Sequence, residues 1–520
     1  MATIQEISQL RRDGKIEEAF IQCKALEEQF PDDRFVRTTM AWCVKSRCEL
    51  AAKGKEVSKF IESFSILPRL KLAEIGELSM PNRFAWDIKT LFEALKYEPD
   101  LLVATANEVL EIVKGLQFKT PDKYYTLLAD TFLKVKGRQG VQWSAFVEFM
   151  DWFGFDNLMP EDFSRIPLNN GKSIPSVAER VHSAYYKGLM AQIESSVIDA
   201  DRIEEFLGRL TRLSSSHPEY QYTLYHKSLL LLALGRKDEA LESIRPFVKK
   251  KQNDFWVWDV LCDTTDDNSV KLSCCCRALL CPTDPKFLGK VHIKAAKLMH
   301  ESGYDTNART ELQIMKSVYQ ENGWRLPKEA TELIAQSWFQ GTQAEDNTLF
   351  YKEHLSASEE FLFFDTPETA ILLTHYNHEK HICNFITEKR ERGFFSTKGL
   401  KGKFRENDVF LVRLEEKIIT GKLSKVLTWK KSSGIPNYFN VFFKRIDGVL
   451  RIKQGNTFGF VGDIYVDRKL IRDGMTDGMA VNGIGVLCYT QKKSQFSWKA
   501  MSLKPKRRRP IAKPLKPSAD

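Results

Sequence analysis

The chain has 520 residues, 43% of them hydrophobic and 28% charged, a balance that excludes a largely disordered polypeptide. No run of about 18 apolar residues occurs, so no transmembrane helix is expected, and the start lacks the basic-then-apolar pattern of a secretory signal. The net charge of +10 is unevenly spread: residues 1–374 carry 47 Lys and Arg against 55 Asp and Glu, residues 375–498 carry 23 against 12, and residues 499–520 carry 8 against 1. An acidic front and a basic back imply different work for the two parts, with any polyanion meeting the back. Ten cysteines without a CxxC pair fit a reduced, cytoplasmic protein without structural disulfides.

Residues 1–355 read as helices. Apolar residues at Ile16, Ala19, Phe20, Cys23, Leu26 and Phe30 follow the 3.6-residue period, between a break at Gly14 and a stop at Pro31. The next helix opens near Arg34 and buries Met40, Ala41 and Trp42. A second copy lies near residue 220: Tyr222, Tyr225, Leu229, Leu232 and Ala233 line a helix, Gly235-Arg236-Lys237 turns, and Glu239-Ala240-Leu241 starts the return. This pattern resembles the tetratricopeptide repeat, in which small residues let paired helices approach closely. The expectation is an all-α, tetratricopeptide-like solenoid. Trp152-Phe153-Gly154-Phe155 breaks the rhythm and reads as a packed aromatic loop.

Beyond residue 360 the texture changes to short alternating apolar runs. Strands are expected at 381–387, 408–415, 420–428, 438–445, 448–453, 457–461, 463–467, 479–489 and 496–503. Asp447-Gly448 reads as a strong hairpin turn and Gly462-Asp463 as a weaker one. Nine short strands suggest two small all-β barrels of the OB or cold-shock kind, at 375–443 and 444–503. The segment 504–520, with four prolines and Lys506-Arg507-Arg508-Arg509, reads as a disordered basic tail that adds nucleic-acid affinity, or a nuclear import signal in a eukaryote.

The most specific segment runs from Gly448 to Asp467. Phe458 and Phe460 fall on one strand face by the two-residue period, and Tyr465 joins them from a neighbouring antiparallel strand. Three exposed rings make a platform for unstacked bases, with Arg451 and Lys453 set to meet phosphates. Gly459 faces the other way, where a close approach needs no side chain. The segment resembles a cold-shock domain, although Asp467 stands where that family usually has His. The resemblance implies that Asp467 repels phosphate, so that Asp467→His tightens binding at little cost in stability. The competing reading makes Phe458 and Phe460 ordinary barrel core. An echo precedes it: Lys389, Arg390 and Arg392, then Gly393-Phe394-Phe395, resemble a degenerate barrel of the same family, with Lys389, Arg390, Arg392 and Phe394 as contacts.

A helical solenoid followed by tandem cold-shock-like barrels is similar to proteins of the prokaryotic TOTE conflict systems. What the resemblance implies is a nucleic-acid-binding protein without a catalytic centre. No Walker loop, Gly-x-Ser-x-Gly or His-Glu-x-x-His motif occurs, so no enzyme and no cofactor are expected. His375, His378, His381 and Cys383 have only a weak metal-ligand pattern, Cys274-Cys275-Cys276 point three ways from a helix, and Asp267 reads as a helix cap rather than a ligand. The reading is a non-enzymatic adaptor. It binds single-stranded nucleic acid, RNA in preference to DNA, through its barrels, and a protein partner through its solenoid. The alternative is a pure protein-interaction scaffold whose barrels pack against the solenoid.

Overall fold

The computed structural model describes residues 2–195, 199–398, 400, 403–414, 423–424, 426–434, 436–472, 474–490 and 495–506. The chain divides into two compact units, Met1–Asp266 and Asp267–Asp520.

The first unit is helical, with thirteen α-helices from Ile4 to Asp263 among the described residues. Local chemistry sets their ends. Gly14 takes φ +78° between Ile4–Arg12 and Ile16–Gln29, a backbone that favours glycine. Asp33 accepts the Phe35 and Val36 N–H groups at 2.8 and 2.9 Å and starts Arg34–Lys53. Ala19, Cys23, Met40, Ala41 and Cys48 are fully buried where these helices meet. Gly235, at φ +74°, reverses the chain between Thr223–Ala233 and Lys237–Lys250. These two are close enough for Ser228 Oγ to donate to the Ala240 carbonyl at 3.0 Å. The aromatic loop is packed: Phe153 stacks on Tyr125 with centroids 4.6 Å apart, and Phe155 meets Tyr185 edge-on at 5.2 Å. Two-residue strands β1 (Ile166–Pro167) and β2 (Ser173–Ile174) form a small ribbon.

The second unit opens with seven more helices, from Asn268 to Leu362. Asp267 caps the first by accepting from Ser269 N at 2.8 Å. Cys274, Cys275 and Cys276 are buried in that helix, and burial beside Glu311 pushes the Cys276 thiol up to about 12. Glu311 itself is fully buried and shared among His292 Nδ1 at 2.7 Å, the Asn347 amide and the Tyr351 hydroxyl. A buried carboxylate is tolerated only with its lone pairs occupied in this way.

The barrels follow. The first is built from β3 (Thr369–Asn377), β4 (Ile382–Thr387), β5 (Arg392–Ser396), β6 (Val409–Leu414), β7 (Leu423–Ser424) and β8 (Val426–Lys431). Their order is β7-β5-β4-β3-β6-β8. Because β7 and β8 are successive pieces of one segment, pairing parallel to β5 and antiparallel to β6 closes the ring. The second uses β9 (Phe443–Val449), β10 (Gly459–Val461), β11 (Ile464–Val466), β12 (Ala480–Thr490) and β13 (Gln495–Pro505), ordered β10-β11-β13-β12-β9. Arg451 and Phe460 exchange two backbone hydrogen bonds of 2.8 Å, which bring the end of β9 onto β10 and close this ring too. Both have the strand order of a five-stranded OB barrel.

Several expectations need correction. The first barrel strand, β3, starts at Thr369, six residues ahead of the expected barrel start at 375. The compact units divide within the helical region, after Asp266, while the change from helix to barrel falls between Leu362 and Thr369, close to the boundary expected at 355–375. Arg413 on β6 donates to the Thr366 carbonyl at 2.7 Å and lies 3.7 Å from Glu359, tying the last helix to the first barrel. Asp447-Gly448 is no hairpin: β9 runs through it, paired to Asn482 and Val481 of β12. Glycine serves packing there, since a Cβ on Gly448 would sit 2.9 Å from Val461 Cγ1. The true turn is Gly462-Asp463, with Gly462 at φ +61° and Val461 paired to Ile464. Where a strand was expected at 438–445, Asn437–Phe442 form a 3₁₀ helix and β9 begins only at Phe443. β13 continues through Pro505 and Lys506 N donates to the Ala480 carbonyl at 2.9 Å, so the tail expected from 504 is structured at its start. Arg507, Arg508 and Arg509 lie outside the described residues.

Asp467 also differs from expectation. Its carboxylate accepts from Lys469 N at 3.1 Å, capping the turn Arg468–Leu470, and lies 3.9 Å from Lys499 Nζ. The Asp467→His substitution removes this cap. It is expected to lower stability by about 1 kcal/mol in chemical denaturation, and an unchanged midpoint would show that the cap contributes nothing. The unit division gives a second expectation. Residues 1–266 expressed alone should be helical by circular dichroism and melt cooperatively. Residues 1–355 should show an additional, weaker transition from helices parted from their barrel. A single sharp transition for 1–355 with an unfolded 1–266 would return the boundary to 355.

Candidate nucleic-acid interface

The strand-to-strand register of the second barrel builds the site. Phe460 pairs with Tyr465 across β10 and β11, and with Arg451 across the closing bridge. Alternation sends Val461, Ile464 and Val466 inward with Ile446, Leu450, Val481 and Leu503, and sends Phe460 and Tyr465 outward. Phe458, just ahead of β10, joins them. The ring centroids are 6.0 Å (Phe458–Phe460), 5.5 Å (Phe458–Tyr465) and 5.7 Å (Phe460–Tyr465) apart. None of the three belongs to the barrel core, and Phe460 is 42% exposed. Phe458 and Tyr465 are half-buried against each other. The reading of Phe458 and Phe460 as core is therefore not what the fold shows. Gly459 faces inward as expected: a Cβ there would lie 2.8 Å from the Arg451 carbonyl oxygen.

The rings are splayed, with interplanar angles of 79°, 40° and 72°. Such a cluster offers separate faces to successive bases rather than one flat floor. Arg451 and Lys453 are exposed beside it. Arg468 and Lys469, turned outward by the Asp467 cap, add two cations that were not among the expected contacts. Among the described residues none of these four has a carboxylate within ion-pair distance; of the barrel's acids three are paired with lysines, and Asp477 instead accepts the Ile452 N–H at 2.8 Å, between Arg451 and Lys453. Asp463 lies 3.0 Å from Lys444, Asp467 faces Lys499, and Asp447 pairs with Lys506. The Lys506 ammonium holds the exposed Asp447 carboxyl below its usual range. Lys506 is thus tied to the barrel edge.

The first barrel does not repeat this arrangement. Lys389 and Arg390 are exposed in the β4–β5 turn, with Arg390 at φ +63°. Arg392 and Phe394 point outward and are half-buried, Phe394 opposite Asn384, while Phe395 is core. Phe394 stacks on no other ring among the described residues. The outward positions Leu372, Ile386 and Val409 are buried instead, against Phe439, Phe442 and Val486. The outer face of this barrel is covered where the second barrel leaves its own open.

The other candidates resolve as parts of the scaffold. His375 lies on β3 with Nδ1 2.7 Å from Glu406, His378 packs on Tyr376 at 4.2 Å, His381 sits in the turn and Cys383 is core. No cluster of three or more metal-ligand side chains occurs among the described residues, and no helix there is long and apolar enough to cross a membrane.

Comparison with known proteins agrees with this geometry. Residues 363–427 match the S1/CSD-like domain 1 of the TOTE conflict systems and residues 444–503 match the S1/CSD-like domain 2. Residues 221–357 match a domain of unknown function, DUF7017. A search of curated proteins found no match. The tandem S1/CSD-like pair points to nucleic-acid binding in a conflict system, and the chain resembles the TOTE conflict proteins across both barrels, behind a helical N-terminal region.

Proposed function

We propose that the protein is a non-enzymatic adaptor that binds single-stranded nucleic acid on the second barrel and a protein partner on its helical region. The observation that carries the reading is the Phe458–Phe460–Tyr465 cluster, outside the core and flanked by unpaired cations. Side chains of this kind stack on bases with little sequence preference, at about 1–3 kcal/mol per base. RNA is preferred over DNA in this reading, because the donors of Arg451 and Lys453 beside the rings serve a 2′-hydroxyl as well as phosphate. Exposed Phe30 and Phe35, at the turn between Ile16–Gln29 and Arg34–Lys53, offer apolar surface to a protein partner.

A second reading has one specific observation in its favour. The burial of Leu372, Ile386 and Val409 on the outer face of the first barrel supports its use as a mount rather than a reader. In the scaffold alternative the second barrel would serve protein contacts as well.

Fluorescence anisotropy with labelled single strands separates the two. Phe458→Ala with Phe460→Ala should weaken RNA binding at least tenfold while leaving the melting temperature close to the parent. Affinity should fall with salt, the log–log slope being about −0.7 per phosphate contact. Lys389→Ala with Arg390→Ala should change the slope less than Arg451→Ala with Lys453→Ala. An affinity indifferent to both the rings and the salt favours the scaffold, and equal affinity for DNA removes the RNA preference alone.

A further inference from the structure

The first compact unit holds a cavity of about 670 Å³ that none of the foregoing uses. Five segments build it: the end of helix Lys123–Leu133, the loop to Gln142, helix Val177–Glu194, helix Ala200–Ser216 and the start of helix Thr223–Ala233. The volume is that of a site for a ligand of drug or nucleotide size, far beyond a packing defect in a close-packed interior.

Its charge is one-sided. Lys134, Lys136, Arg180 and Lys187 all line it. Asp130 answers Lys134 at 2.7 Å and Arg180 at 2.8 Å, and the one lining glutamate, Glu179, is held by Arg165 at 2.6 Å. Lys136 donates to the Gln142 side-chain oxygen, and among the described residues neither Lys136 nor Lys187 has a carboxylate partner. Burial, and after it the neighbouring Lys187 charge, hold the Lys136 ammonium below its ordinary range. Two buried donors on the wall, Gln142 Nε2 and Arg180 Nε, have no hydrogen-bond partner. Unsatisfied buried donors are costly, and anionic oxygens are what would satisfy them.

The remaining wall is apolar and aromatic. Leu133, Leu210 and Leu213 line it, with Tyr222 half exposed. The His226 ring stacks on Tyr186 at 4.2 Å. Burial lowers both His182 and His226 to about 4, so at neutral pH they present uncharged rings rather than additional cations. The ligand that fits has an anionic end and a planar, weakly polar body.

We propose that this cavity binds a nucleotide-sized organic phosphate, with Lys136 and Lys187 facing the phosphate and the Tyr222 and His226 side taking the ring. The site is separate in sequence and in kind from the barrel platform, and it stands whether or not the barrel reads single strands.

Isothermal titration of the full chain with the four ribonucleoside triphosphates and their monophosphates tests it, with the nucleosides and inorganic phosphate as controls. At least one nucleotide should saturate a single site more tightly than its nucleoside and than phosphate. Lys136→Gln and Lys187→Gln should each weaken it by about tenfold or more, as expected for a lost charge-assisted hydrogen bond. Lys187 is exposed, so its variant should melt with the parent and carries the test if Lys136→Gln disturbs folding. Phe458→Ala with Phe460→Ala should leave nucleotide binding intact. No nucleotide binding beyond that of phosphate, binding that survives both lysine substitutions, or binding lost with the barrel rings would each overturn the proposal.

Discussion

The seam between the two barrels is the constraint on which the rest of the second unit depends. On β3, Ile371 and Leu373 fill the first barrel while Leu372 between them faces out, and all three are fully buried. Leu372 is covered because Phe439 and Phe442, on the 3₁₀ turn linking the barrels, pack on it with Ile386, Val409 and Val486. Burying a side chain of this size is worth about 1.5–3 kcal/mol, so this small cluster fixes one barrel on the other. It also decides the division of labour. A face that anchors a neighbour cannot stack bases, and among the described residues the second barrel alone gathers three rings on its outside.

Charge follows the same logic. The back of the chain is strongly basic, yet many of its cations are spent on local acids: Lys444 on Asp463, Lys499 on Asp467, Lys506 on Asp447, Lys431 on Asp408. Exposed pairs such as these add little stability. In the second barrel their effect is to offset the charges of Asp463, Asp467 and Asp447, so that Arg451, Lys453, Arg468 and Lys469, with Asp477 beside the first two, set the local field. Asp467 illustrates how one residue serves structure and charge together. It caps the turn that exposes Arg468 and Lys469, and its own charge is answered by Lys499.

The platform was legible in the sequence because it obeys a local rule. Phe458, Gly459, Phe460 and Val461 alternate outward and inward with a period of two, and the antiparallel partner Tyr465 is only a two-residue turn away. The helix ends at Gly14, Gly235 and Asp267 were legible for the same reason, each being decided within one turn of chain. β3 was not. It is buried on both faces, so Ile371-Leu372-Leu373 reads as a continuous apolar run without alternation. Asp447-Gly448 misled because glycine answers two needs, a tight turn or a close neighbour, and only the position of Val461 tells which. The cavity was invisible because its five segments are brought together by packing alone.

The magnitudes say which part of the interface controls binding. Three rings at about 1–3 kcal/mol each give a gross stacking energy of about 3–9 kcal/mol. Association and the ordering of a single strand cost an amount of the same order. Stacking alone therefore leaves little surplus, and splayed rings, which cannot all be covered as one plane, leave less. The balance falls to phosphate contacts. Four exposed, unpaired cations beside the cluster supply these, and their strength is screened over about 8–10 Å at physiological salt. Under the proposed function, a single open barrel of this build would hold a strand weakly and release it quickly. The proposed adaptor would need that behaviour if engagement of a partner elsewhere on the chain is to decide whether the complex persists, since two weak contacts on one chain reinforce each other through effective concentration.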